Sequence, residues 1–189
     1  MNGQMQNIQE SIDNGADIDA RVWYNDDDVF RFISPLHIAV LLGYANTVKL
    51  LLENGADVSI TDNDGRTPMY YTVMHNEDAC LELLLRYGSD ANVEEIEGMP
   101  ALHRAASLPN VEMVRMLLRY NANVLKRDQY GFLAREWTSS NEIYDILQDE
   151  EDRQLRSLAF AMAHHPRLGF ESIVKALDPE VLHMVLDRV

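Results

Sequence analysis

The chain has 189 residues, and 31 acidic against 16 basic side chains give a formal net charge of −15. That balance argues against nonspecific binding to nucleic acid or to an anionic membrane, both of which need a basic surface. An apolar share of 47% is enough for a continuous core, and a single cysteine, Cys80, cannot form an internal disulfide.

The first 20 residues are polar with no apolar signal core, and no run approaches the ~20 apolar residues of a membrane span. A reducing, intracellular setting, cytoplasmic or nuclear, is the expectation. In residues 5–19 (MQNIQESIDNGADID), Met5, Ile8 and Ile12 recur at helical spacing, and Asn14-Gly15 supplies a helix end. This reads as half of a larger unit, serving as an N-terminal cap.

Next comes ARVWYNDDDVFRFI (20–33). From Gly15 to Ser34 is 19 residues, whereas the later intervals Gly55–Thr67 and Gly88–Pro100 are 12. The excess predicts a long hairpin, aromatic at Trp23, Tyr24, Phe30 and Phe32 and acidic at Asp26, Asp27 and Asp28. Either its aromatics pair with one another over the cap, or the inserted finger contacts a partner. Three consecutive aspartates cannot all point at one ion and lack the spaced-ligand pattern of a calcium loop.

Then a unit of fixed period begins. Residues 34–66, 67–99 and 100–132 repeat one plan in register, the signature of a stacked architecture. Ser34-Pro35 and Thr67-Pro68 open a first helix, because the hydroxyl caps free N–H groups and proline at the first position loses no hydrogen bond. A break at Gly43 leads to a second helix with Val48, Leu51 and Leu52 on one face. Asn54-Gly55 ends that helix, and Val58 to Arg66 reads as a hairpin turning at Asp64-Gly65. The second unit carries Tyr70 where the first and third carry His37 and His103, and Asn76 where the first carries Gly43, and asparagine tolerates the left-handed region. The third carries Pro100 at the Ser/Thr position and Pro109 at the break. A fourth keeps Asp128, Tyr130 and Gly131 in hairpin register. There Leu133-Ala134-Arg135-Glu136 predicts a brief first helix and Asn141–Gln148 a second.

The motifs SPLHIA (34–39), TPMYYT (67–72) and ALHRAA (101–106), with the helix ends NGAD, YGSD and NANV, resemble the ankyrin repeat over about residues 5–148. The resemblance implies an all-α solenoid of helix-turn-helix plus β-hairpin units. It also implies protein–protein binding without catalysis, through hairpin tips and the inner surface of the first helices. The positions following the first-helix motif, usually polar, are here Leu41, Leu42, Met74, His75, Ser107, Leu108, Glu136 and Trp137. Ile96, Met99, Tyr130 and Phe132 extend the row on the fingers. An apolar stripe on a surface that should face water marks an interaction site; if the alignment is off by one, the same residues are core. As a site, it takes Trp23, Tyr130, Phe132 and Trp137 as anchors, with Leu41, Leu42, Met74 and Leu108 beside them. The expected partner is a protein offering an apolar strip bordered by Lys or Arg. Its own tail is another candidate occupant.

His37 and His103 belong to the helix-opening box, where the ring is expected to bond backbone, and His164-His165 diverge on a helix. No catalytic constellation, metal-ligand spacing or phosphate loop is visible, so no catalytic residue, metal or cofactor is expected. Cys80 reads as a buried, inert thiol.

Residues 149–189 depart from the repeat and form a separate helical tail. Asp149–Asp152 (DEED) suits a helix N-terminus, and Leu155, Leu158, Ala159 and Met162 follow at helical spacing. PRLG (166–169) reads as a turn and 172–176 as a short helix. Asp178-Pro179 opens a last helix with Leu182, Val185 and Leu186 as its stripe. The stretch 177–186 (LDPEVLHMVL) is similar to the opening of the F-box, which docks the Skp adapter of cullin ubiquitin ligases. That similarity would give Leu177, Pro179, Val181, Leu182, Val185 and Leu186 to adapter binding, and resembles a class of ankyrin proteins in large DNA viruses. Three roles for the tail follow: a cap closing the solenoid, a Skp-docking hook, or contact with another partner or a second copy. For the chain, the alternatives to a plain binding module are a ubiquitin-ligase substrate adapter and a structural subunit of a larger, viral assembly.

Overall fold

The computed structural model describes residues 2–26, 29–94, 98–164 and 179–186. In chain order these form α1 (Asn2–Asp13), the strands β1 (Val22–Asp26) and β2 (Val29–Ile33), and the helix pairs α2 (Pro35–Leu41) and α3 (Ala45–Glu53), α4 (Pro68–Met74) and α5 (Asp78–Arg86), α6 (Ala101–Ala106) and α7 (Val111–Arg119). A 3-10 helix (Ala134–Trp137), α8 (Asn141–His164) and α9 (Pro179–Leu186) complete it. Contacts sort the helices into two rows. The short helices α2, α4, α6 and the 3-10 helix pack in succession, as do α1, α3, α5, α7 and α8 behind them. One core runs between the rows, from Leu36 and Val48 through Met69, Leu81, Leu102 and Leu117 to Ile143 and Leu147. This is the expected mostly helical solenoid with hairpins.

Local chemistry sets each unit's boundaries. Ser34 caps α2 through its hydroxyl, and Thr67 caps α4 by accepting from the Tyr70 N–H at 3.4 Å. Gly43 (φ +66) ends the first helix of its unit, and a Cβ there would come within 2.8 Å of the Glu77 carboxylate. Asn76 takes the same left-handed conformation one unit later, at φ 60. The two first-helix histidines bridge to the next finger: His37 Nε2 donates to the Arg66 carbonyl at 3.1 Å and His103 Nε2 to that of Phe132 at 2.9 Å. Burial lowers the pKa of both rings. His37 Nδ1 accepts from the Ser34 N–H at 3.3 Å and bonds its hydroxyl at 2.9 Å. Pro100 has neither group, and His103 Nδ1 is buried without a partner among the described residues.

The lengthened first finger is a two-stranded antiparallel hairpin with Val22 opposite Ile33 and Asp26 opposite Val29. Trp23 and Phe32 lie opposite each other with ring centroids 5.2 Å apart. The Phe32 N–H donates outward to Asn63 Oδ1 at 2.8 Å, tying this finger to the next.

The C-terminal region departs from expectation. Asp149–Asp152 is not a helix N-terminus: α8 runs unbroken through it for 24 residues. No Gly or Pro interrupts 141–164, and Ser140 starts the helix by accepting from the Ile143 N–H. The boundary drawn at 148 therefore falls inside a helix. Of the four acids only Glu151 is buried; it pairs with Arg135, which also donates to Gln148 at 2.8 Å. Leu155 joins the core, where α9 lays Val181 and Val185 against α8. The expected turn at 166–169, the helix at 172–176 and Leu177 lie outside the described residues.

Two outcomes test this account. Pro100→Ser should unfold at a free energy about 1 kcal/mol above Pro100→Ala, because only serine supplies a hydroxyl to cap α6 and to meet His103 Nδ1; equal stability in urea titrations would refute the cap. Burial pushes the Glu151 carboxyl up to about 7, with Arg135 opposing. A raised folded pKa gives stability that is full below about pH 4.5 and lost as pH rises through about 7. Glu151→Gln should therefore gain on the wild type by on the order of 1 kcal/mol between about pH 5 and pH 8. A pH-independent difference in unfolding free energy would refute the assignment.

Candidate protein-binding face

Two of the fingers are built around a buried aspartate. Asp62 Oδ1 accepts the backbone N–H groups of Asp64 and Arg66, each at 2.8 Å, and Oδ2 accepts the Tyr71 hydroxyl at 2.5 Å. In the fourth unit Asp128 Oδ1 accepts from the Tyr130 and Phe132 N–H groups at 2.9 Å, and Oδ2 from the Trp137 indole at 2.8 Å. Burial works against charge on Asp128, but these N–H donors outweigh it and hold the carboxyl below its usual range. In both units the aromatic donor stands nine residues after the aspartate, on the short helix that follows.

This corrects one expected anchor. Trp137 is half-buried and spends its only donor inside the chain, so it positions the finger instead of offering a free surface. Met99 is also withdrawn, at 8% exposure. Leu41 and Leu108 are half-buried and pack against the core, while Leu42 and Met74 stand 44% and 40% exposed beside an exposed His75. The row thus divides between the two readings of the sequence. At the fingers, Trp23, Tyr130 and Phe132 are exposed at 68%, 65% and 48%, and Tyr24 is half-buried. Ile96 and the side chain of Phe30 lie outside the described residues. In the tail, Val181 and Val185 are buried within this chain, where adapter docking would need them free, and Pro179 is exposed. The side chains of Leu182 and Leu186 are outside the described residues.

Around Tyr71, three residues before Met74, lies a cluster that the sequence reading missed. Arg31 on β2 donates to the Tyr71 hydroxyl at 3.1 Å and sits over the Tyr71 ring at 5.4 Å. Arg66 sits over the Tyr70 ring at 5.3 Å and pairs with Asp64 at 2.9 Å. Tyr70 and Tyr71 meet edge to face, and Tyr71 stacks on His75 at 6.4 Å. The equal nine-residue spacing of Asp62–Tyr71 and Asp128–Trp137 was the available signal. Among the described residues, no group of three or more His, Cys, Asp or Glu side chains is placed to hold a metal ion. Cys80 is buried and its thiol is pushed up to about 11 by burial, then by Glu77.

A family model of ankyrin repeats, three copies long, matches residues 2–95 and 36–128. The chain belongs to the ankyrin-repeat family. Among curated relatives, it is 43% identical over 37 residues to an ankyrin repeat-containing protein of Schizosaccharomyces pombe, covering 20% of this chain and 18% of that one. It is 41% identical over 69 residues to protein phosphatase 1 regulatory subunit 12A of Mus musculus, covering 33% and 7%. An ankyrin repeat protein of Rickettsia bellii matches at 46% over 41 residues, 22% and 17% of the two chains. The ankyrin chain thus spans less than a fifth of the length of each of these relatives.

If Trp137 positions its finger, Trp137→Phe should leave Asp128 Oδ2 short of a donor and cost about 1–2 kcal/mol of unfolding free energy. Hydrogen exchange should quicken at the Tyr130 and Phe132 amides before it does so in α3. Unchanged protection at those amides would restore Trp137 as a surface anchor.

Proposed function

We propose that this ankyrin protein is a non-catalytic binding module that holds a protein partner across its finger tips and short-helix row. Ankyrin repeats mediate protein–protein interaction, and one relative is by name a phosphatase regulatory subunit. The observation that carries the reading is the exposure of Leu42 and Met74 on consecutive units, on the row where α2 packs on α4. Trp23, Tyr130 and Phe132 extend the apolar area at the fingers. A pre-stacked solenoid loses little conformational entropy on docking, so such contacts translate efficiently into affinity. The net charge of −15 favours a partner with Lys or Arg around an apolar strip.

The tail acts as a cap in this reading, and the burial of Val181 and Val185 supports it. A Skp-docking hook would need that side of α9 to open. A structural role in a larger assembly would use the same exposed row.

The double variant Leu42→Glu/Met74→Glu should weaken a partner purified from the native source by at least ~30-fold, about 2 kcal/mol, as loss of a hot spot does. Tyr87→Glu, on the outer row, should leave that affinity unchanged. The reading fails if the double variant binds like the wild type while retaining its thermal unfolding midpoint.

A further inference from the structure

Among the described arginines that enter no ion pair, Arg31 stands out because its Nε is buried. Arg31 makes no ion pair with any described residue, and its guanidinium is held by the Tyr71 hydroxyl and ring. Arg66 beside it spends one nitrogen on Asp64. Both keep a buried Nε–H with no acceptor among the described residues, although the Arg66 side chain is still 24% exposed and Arg31 is only half-buried. Nε is closed to solvent, so a docking segment meets the terminal end of the guanidinium, where a planar fork bonds most strongly to a carboxylate.

The surroundings fix the geometry of the two heads. Each lies over a tyrosine ring, and the two rings meet at 5.4 Å and 87°. Tyr71 is pinned by Asp62, so the platform under Arg31 is rigid. Along the same helix Tyr71 stacks on exposed His75, next to exposed Met74. The arginines therefore border the apolar row between the first finger and α4.

The geometry points to Arg31, backed by Arg66, as a receptor for one Asp or Glu side chain of the bound protein segment, set beside the apolar residue that covers Met74. This names the partner's chemistry and rests on the binding face proposed above. Charge selects a carboxylate over a phosphate. Arg66 is already paired with Asp64, and Asp62 lies beyond the Tyr71 hydroxyl, so a dianion would meet repulsion from those acids and from the −15 net charge of the chain. The recognised segment is thus a single acid and an apolar neighbour within a sequence that is otherwise neutral or basic.

The test uses the full chain and a displayed library of random 12-residue peptides. Peptides selected by the wild type should share an Asp or Glu at a fixed offset from a large apolar residue. Changing that acid to its amide, or making Arg31→Gln in the protein, should each weaken binding roughly 10- to 100-fold. Made together they should lose no more than either alone, a coupling that a folding defect would not produce. Arg31→Lys should recover only part of the loss, since it keeps the charge without the fork. Selected peptides without a common acid, or full affinity in Arg31→Gln, would overturn the inference even if Leu42→Glu/Met74→Glu abolishes their binding. Coupled loss at Arg31 in peptides that ignore Leu42→Glu/Met74→Glu would uphold the carboxylate site and sink the apolar face. An empty selection overturns both.

Discussion

The buried carboxylates of Asp62 and Asp128 are the constraint on which the binding face depends. A carboxylate that leaves water needs several donors, and each of these takes two backbone N–H groups and one aromatic side-chain donor. The backbone bonds close the finger's turn. The aromatic bond fixes that finger to the short helix that follows. One side chain thereby sets both the shape of the finger and its distance from the helix row. Tyr71 extends the network outward to Arg31 on a different finger, so the first hairpin is held by a carboxylate in the second.

The imidazole bridges supply the second tie. His37 reaches the Arg66 carbonyl and His103 the Phe132 carbonyl, each across 29 residues, so both join a unit's first helix to the finger that ends the same unit. Burial lowers the pKa of both rings and so favours the neutral form, which at His37 supplies the one N–H donor and one acceptor nitrogen its bonds require. Tyr70 replaces this group in the second unit and rests against Arg66 and Tyr71 instead. The third unit keeps the histidine but, with Pro100, loses what orients its other nitrogen. The polar ties are therefore uneven along the stack, and the continuous apolar core has to carry the difference.

The repeats were legible because their devices are local: a hydroxyl and proline before a helix, a glycine or asparagine after one, apolar residues three and four apart. Asn76 and Asn121, both left-handed, stand where that reasoning puts a helix break or end. The continuous α8 was less legible, since four consecutive acids look like a helix start until Leu155 and Glu151 are seen to face the core. Which of two adjacent positions faces water was legible only to within one residue, and it divides Leu41 from Leu42. Trp137 was misread for a related reason. An aromatic ring next to an apolar row looks like an anchor, and only the indole's bond to Asp128 shows that it is occupied. The Arg31–Tyr71 contact joins residues 40 apart on different elements, and no local pattern carries that.

On the proposed binding face, the charge and the apolar row would act on different stages of binding. A net charge of −15 spreads over the whole surface and bears on encounter, raising the on-rate for basic segments in a salt-dependent way. It cannot distinguish one basic segment from another. Leu42 and Met74 reward apolar area, but apolar area alone is equally permissive. An arginine pinned on a tyrosine platform discriminates, because a mismatched segment leaves its guanidinium desolvated and unpaired. In an acidic chain such a group can sit only where carboxylates are kept busy. Here Asp62 is spent on the finger and on Tyr71, and Asp64 on Arg66. The network that shapes the finger is also what leaves Arg31 available to a partner.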